Sequence, residues 1–199
     1  MEIIRTISEL RARLSSEDQV CCVPTMGNIH DGHLSLVRIG KERAPLVVTT
    51  VFVNRLQFGQ SDDFSRYPRT FEDDCAKLES LGNDIVFCPN EDEMYPEPQV
   101  FFIEPPKIAN GLEGRFRPGH FRGVCTVVTK LFNAVQPQMA VFGKKDYQQL
   151  AIIRELTEQL CLPIEIVPAE TVLSDDGLAL SSRNRFLNES ERSEAPRLR

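Results

Sequence analysis

The stretch "VCCVPTMGNIHDGHLSLV", residues 20–37, decides the fold. An unbroken apolar run over 20–23 is the pattern of a strand buried on both faces. Leu34, Leu36 and Val37 belong to a following helix, so "TMGNIHDGH" is a strand-to-helix turn with Asp31 as its expected N-cap. Such a turn offers free backbone N–H groups and a partial charge of about +0.5 at the helix start. Both suit a phosphate. His30 and His33 are two of the three histidines in the chain and flank that point together. Gly27 and Gly32 remove side chains where a bulky phosphate chain approaches the backbone. Surface histidines in an ordinary turn are the alternative on these residues alone.

Outward from this turn, apolar runs and helical patterns alternate. Strands are expected at 3–4, 20–23, 46–53, 84–88, 139–142 and 164–167. The clearest helix is 123–135, where Val124, Val127, Val128, Leu131, Phe132 and Val135 share one face. A second, 146–160, turns Leu150, Ile153, Leu156 and Leu160 inward. Thr6 with Glu9, Thr70 with Asp73 and Asn188 with Glu191 each set a capping residue three positions before an acid. Gly82 closes the second of these helices. The alternation implies an α/β fold, a Rossmann-like, doubly wound and mostly parallel sheet whose ligands bind beyond the carboxyl ends of the strands. The Pro-rich stretch "PNEDEMYPEPQ", 89–99, is an excursion between elements rather than a linker.

Composition narrows the function classes. A chain of 199 residues, 41% hydrophobic and 26% charged, has the size of one domain, roughly 100–200 residues. Its formal charge of −6 gives no general basic face, so nucleic acid is not an expected partner and an anionic ligand must be met by local cations. Six cysteines without a C-x-x-C pair suit buried, reduced thiols and a cytoplasmic protein rather than a zinc site or a disulfide scaffold. No run approaches the ~18–20 apolar residues of a membrane span.

The H-x-G-H turn after a strand resembles the signature of the nucleotidyl-transferring α/β superfamily. Further stretches narrow the likeness: "FVNRLQF" (52–58), "YPRT" (67–70), "LEGRFRPGHFRGVCTVV" (112–128), "FGKKDYQQLAIIR" (142–154) and "DGLALSSRN" (176–184). With "PTMGNIHDGHLSLV" they occur in the order and spacing of the pantothenate synthetase (pantoate–β-alanine ligase) family, and the resemblance covers essentially the whole chain.

That resemblance implies a reaction: ATP and Mg2+ serve to adenylate pantoate with release of pyrophosphate, and β-alanine then displaces AMP to give pantothenate. It implies catalytic roles for His30, His33 and Lys145. An ATP site would comprise Met26, Gly27, His30, His33, Gly143, Lys145, Asp146, Val172, Ser181, Ser182 and Arg183. Gln57 and Gln149 would hold pantoate, with Met26 and Phe58 as an apolar wall. An amide suits such a ligand because it donates and accepts without adding charge. Asp73 and Asp74 offer hard oxygens for magnesium, though the same pair also favours a helix N-terminus. His120, with Arg117 and Arg122 near it, either receives anions or is structural. The family also implies a homodimer.

Two departures bear on these expectations. Arg55 and Leu56 stand where the family has Pro-Met, which would reshape the pantoate loop, and Lys144 stands where it has an acid, which would add charge near the phosphates. The resemblance further implies that 1–172 form the nucleotide- and pantoate-binding domain. Residues 173–199 would begin a small lid domain, truncated here, so that ATP binds but turnover is slow. The competing functions are a cytidylyl or adenylyl transferase, which keeps the nucleotide on its product, and a nucleotide-binding module without catalysis.

Overall fold

Strands that are apolar on both faces need helices on both sides, and the chain supplies them in turn. The strands are β1 (Glu2–Ile4), β2 (Val20–Thr25), β3 (Leu46–Val51), β4 (Ile85–Phe87), β5 (Met139–Gly143) and β6 (Glu165–Ala169). The helices are α1 (Ile7–Leu14), α2 (Asp31–Arg43), α3 (Phe71–Ser80), α4 (Glu91–Met94), α5 (Leu112–Phe116), α6 (His120–Val135), α7 (Tyr147–Gln159) and α8 (Glu189–Glu194). This computed structural model describes residues 1–59 and 64–197, so Leu198 and Arg199 of the tail lie outside the described residues. All six expected strands form, and among the described residues these six pair in parallel throughout, in the order β1-β4-β3-β2-β5-β6. The expected doubly wound α/β sheet is the fold observed.

Period-two alternation divides the core. Cys22, Val48, Phe87 and Ala140 face a cluster containing Leu10 of α1, Val124 and Leu131 of α6, and Ile153 of α7. Cys21, Val23, Val47 and Val141 face the other cluster, with Val37 of α2 and Leu78 of α3. At about 1.5–3 kcal/mol for each large aliphatic side chain withdrawn from water, these two layers dominate the stability of the sheet.

Boundaries differ from expectation where tertiary structure intervenes. β2 continues through Pro24 to Thr25, pairing with β3 beyond the last β2–β5 pair, Cys22 with Ala140, so the missing proline N–H interrupts no ladder on that side. β3 ends at Val51, because the next residues leave the sheet to form the 3₁₀ turn Arg55–Gln57. That turn lies so close against α6 that a Cβ on Gly123 would stand 2.2 Å from the Leu56 carbonyl oxygen; only glycine permits the approach. The caps at Thr6 and Asn188 form as expected, each side chain accepting from the backbone N–H three residues on. Thr70 is at the N-cap of α3 but makes no cap bond, since its hydroxyl donates to Asp74 Oδ1 at 3.1 Å. Gly82, at φ +68°, follows α3 in the left-handed region. Four of the cysteines are buried, whereas Cys75 is half-buried and Cys161 exposed, against the expectation of uniformly buried thiols.

Candidate active site

The sheet reverses its winding between β2 and β5: from β2 the chain proceeds to β3, and from β5 to β6 on the opposite side. A crevice opens at the carboxyl ends of such strands. Here the crevice is a cavity of about 210 Å³. Met26, His30 and His33 reach it from the turn after β2, and Gly143, Lys145 and Asp146 from the turn after β5. Gln57, Gln149, Val172, Ser181, Ser182 and Arg183 complete the wall. Gly27, Phe58, Asp73 and Asp74 are not part of it.

The turn after β2 is bonded at most of its amides. Gly27 donates to Thr25 Oγ1 at 3.2 Å, Asn28 to Asp74 Oδ2 at 2.9 Å and Ile29 to Asp74 Oδ1 at 2.7 Å. Lys77 Nζ donates to the Ile29 carbonyl at 2.8 Å, so α3 grips the turn through both a carboxylate and an ammonium. Gly27 at φ +81° is needed here, since a Cβ would come within 3.0 Å of Asp74 Oδ2. The N-cap of α2 is His30, not Asp31. Its Nδ1 accepts from Gly32 N–H at 3.1 Å, and His33 Nδ1 accepts from His30 N–H at 3.4 Å. The expected set of free backbone donors is therefore not what the turn presents.

It presents imidazole N–H groups instead. A neutral ring that accepts at Nδ1 carries its proton at Nε2, and the two rings stack with centroids 4.0 Å apart and planes tilted by 32°. Burial first, then the Lys145 charge, pushes the His30 pKa down. Burial, His30 and Lys145 together push His33 down to about 3. Both rings are thus neutral Nε2–H donors at physiological pH.

Gln57, also on the cavity wall, accepts at Oε1 from Asn54 Nδ2 at 3.1 Å. The same cavity is lined by Phe52, Tyr67, Val124, Val127, Val128 and Leu131, which give it an apolar wall beside the amides. Beneath, His120 is buried, with Nδ1 2.9 Å from the Gln57 carbonyl oxygen and Nε2 3.3 Å from Arg117. It fastens the Gln57 loop rather than facing an anion. On the cationic side Lys145 Nζ lies 3.2 Å from Asp146 Oδ1. Ser181 caps the short 3₁₀ turn that follows it by accepting from Arg183 N–H at 3.2 Å.

Two neutral imidazoles, a lysine, two glutamine amides and an apolar wall thus share one cavity at the switch point of the sheet. The Pantoate-beta-alanine ligase family model matches residues 2–199. The chain belongs to the pantoate–β-alanine ligase family. It is 61% identical over 198 residues to the pantothenate synthetase of Nitrosospira multiformis, covering 100% of this chain and 71% of that protein. The crystal structure of pantothenate synthetase from Thermus thermophilus superposes with a TM-score of 0.96 at 48% identity, covering 98% of this chain and 71% of that one. The Francisella tularensis pantoate–β-alanine ligase, crystallised with β,γ ATP and β-alanine, gives 0.94 at 37% identity, with 99% and 77% covered.

For this member of the ligase family several sequence expectations need correction. Asp74, 1% exposed, spends its carboxylate on two turn amides and the Thr70 hydroxyl, so it is turned away from any cation in the cavity. Asp73 points outward on the first turn of α3. Among the described residues no group of three or more His, Cys, Asp or Glu could hold a metal ion. Phe58 packs edge-on against Phe64 and Tyr67, ring centroids 5.3 and 5.9 Å away, and supports the wall from behind. The wall itself is Tyr67, whose signal lay in "YPRT", and the α6 valines, which sequence periodicity assigned simply to the core. Neither departure lines the cavity. Arg55 makes a two-pronged ion pair with Glu91 at 2.8 and 3.2 Å, and Lys144 is neutralised by Glu170.

Proposed function

We propose that this cavity carries out both halves of the ligase reaction, with its histidine end on the ATP phosphates and its glutamine end on pantoate. A pantoate carboxylate oxygen attacks the α-phosphorus, the bond to the β-phosphate oxygen breaks, and pyrophosphate leaves with that electron pair. The amine of β-alanine then attacks the acyl carbon, forming the C–N bond as AMP departs and the ammonium proton is lost. In the first step negative charge grows on α-phosphate oxygens, and the groups that meet it are His30 Nε2–H, His33 Nε2–H and the Lys145 ammonium. A preorganised donor of this kind is worth about 2.7–4 kcal/mol, or 10² to 10³ in rate. Ser181, Ser182 and Arg183 approach the same anion from the opposite wall, and Gly143 and Val172 give the nucleotide room. Asp146 faces the nucleotide beside Lys145.

The observation that carries this reading is the joint lock on the two imidazoles. Because each Nδ1 is filled by a backbone amide, each ring can offer the cavity only a donor. Donors are what a phosphate needs and what a general base lacks. Magnesium enters as part of MgATP, since it usually keeps several waters and takes only one or two protein carboxylates beside the phosphates. Asp146, which lines the cavity beside Lys145, would supply such a carboxylate. Pantoate lies along Gln57 and Gln149, with its dimethyl group against Tyr67 and the α6 valines.

A cytoplasmic setting is supported by six free thiols. A homodimer is supported by the exposed Val100, Phe101, Leu112 and Phe116, which would otherwise leave large apolar side chains in water. Incubation with ATP, Mg2+, pantoate and β-alanine should yield pantothenate and AMP in equal amounts. A product that retains the nucleotide would instead identify a nucleotidyl transferase, and ATP binding without either product would identify a binding module.

A further inference from the structure

We propose that Tyr95 is a positioning residue: through Asn54 it holds the Gln57 amide with its Nε2–H group toward the pantoate oxygens. The inference rests on the assignment of Gln57 to pantoate given above. It also gives a purpose to the Pro-rich stretch 89–99, which otherwise only connects elements.

Tyr95 follows α4 and anchors there by donating its N–H to the Glu91 carbonyl at 2.7 Å. Its ring passes under the cavity wall, 6.1 Å from the Phe52 ring, and its hydroxyl donates to Asn54 Oδ1 at 2.7 Å. Asn54 is 1% exposed, so its amide has little access to water. Two backbone groups fix which way that amide points. The Gly123 carbonyl oxygen, 3.2 Å away, can only accept, and Leu56 N–H, 3.4 Å away, can only donate. Nδ2 therefore faces Gly123 and Gln57, while Oδ1 faces Leu56 and Tyr95.

The orientation passes to Gln57. Its Oε1 accepts from Asn54 Nδ2, which turns Nε2 toward the weakly accepting sulfur of Met26 on the cavity wall at 3.2 Å. A carboxylate or hydroxyl oxygen is a far better partner for that N–H than a thioether. A reversed amide would oppose Nδ2 of Asn54 with a second NH2 group and aim an oxygen at the substrate carboxylate. The Leu56 bond at 3.4 Å is long, so the Tyr95 hydroxyl supplies the strong hold on Asn54 Oδ1. Burial raises the Tyr95 pKa well above the ordinary tyrosine value, which keeps the hydroxyl a donor at every working pH.

Tyr95→Phe removes only the hydroxyl. Pantoate-dependent exchange of labelled pyrophosphate into ATP, with KM for pantoate and for ATP measured separately, reads the consequence. The expected result is a pantoate KM raised roughly five- to thirtyfold, as for a buried polar group losing its partner. ATP KM stays close to the parent value, and the thermal midpoint falls by no more than one lost buried hydrogen bond accounts for. In the Gln57→Ala background, Tyr95→Phe should add no further factor, because the two act as one unit. Asn54→Asp, which cannot donate to Gln57 yet keeps the shape, should imitate Tyr95→Phe.

An unchanged pantoate KM in Tyr95→Phe beside a raised one in Gln57→Ala would overturn the relay and leave the Gln57 assignment standing. A raised KM for both substrates together with a thermal midpoint lowered beyond that would make Tyr95 merely structural, as would effects that multiply in the double variant. If Gln57→Ala itself leaves pantoate KM unchanged, the parent assignment fails and the relay with it.

Discussion

Two segments of the cavity wall carry the side chains proposed to meet phosphate, and they are built in opposite ways. The turn after β2 is bonded at amide after amide: α3 grips it with Asp74 and Lys77, and its histidines fill each other's capping needs. The Ser181–Arg183 segment follows a Leu173–Ala179 bridge and opens a short 3₁₀ turn, and its polar groups are half-exposed or exposed. A segment with few buried contacts opens at low free energy, whereas one set in the core opens only with the fold. On the proposed function, the histidine turn would be the fixed electrostatic frame of the reaction. The serine–arginine segment would be the part able to adjust around different phosphate states.

This contrast is broken most severely at Asp74. Asp74→Ala leaves two amides and a threonine hydroxyl without their acceptor, and we expect roughly 2–4 kcal/mol of lost stability together with about 10²-fold slower pyrophosphate exchange. Denaturant melts and exchange assays on the same variant check this. Stability and exchange both near the parent values would show that the turn holds itself.

Arg183→Ala should behave differently. A charge-assisted hydrogen bond is worth about 1.5–3 kcal/mol, so ATP KM should rise roughly tenfold while the thermal midpoint stays put. A lowered midpoint would mean that this segment is as structural as the histidine turn.

The pH response separates the two segments again. Because His30 and His33 have folded-state pKa values below the ordinary 6.5, the unfolded chain takes up protons first as pH falls. Stability from these groups is complete above 6.5 and is lost between 6.5 and about 3, where His33 protonates and its cap breaks. The slope is at most about 1.4 kcal/mol per pH unit for each ring. His33→Gln should make the acid limb of a stability–pH curve shallower. An unaltered limb would mean that His33 has an ordinary pKa. The smallest effect belongs to Lys144→Ala, whose exposed pair with Glu170 should change stability by less than about 1 kcal/mol and ATP KM hardly at all.

Much of this was legible in the chain itself. The apolar runs announce a parallel sheet because only strands covered on both faces are apolar at every position, and the H-x-G-H turn falls at the switch point because it follows β2. What the residues could not reveal was who occupies the turn amides. Asp74 lies more than forty positions away from Asn28 and Ile29, and its pattern in the sequence is that of any acid in a first helical turn. Asp31 is the stronger N-cap by residue type, yet His30 takes the position because its Nδ1 reaches Gly32 and its partner sits one helical turn on. Phe58 was assigned to the pantoate wall by its neighbourhood to Gln57. A 3₁₀ turn rotates adjacent side chains apart, and Tyr67, from a different stretch, fills the place instead.

On the proposed function, the fixed turn would supply neutral imidazole donors to the adenylation step. Pantoate-dependent exchange of labelled pyrophosphate into ATP, compared between this chain and His33→Ala from pH 6 to 8, tests it most directly. Exchange should require pantoate, fall by about 10² to 10³ in the variant, and show no titration of His33 in the parent across that range. Exchange that survives in His33→Ala, or that follows a proton lost near pH 6.5, would contradict it.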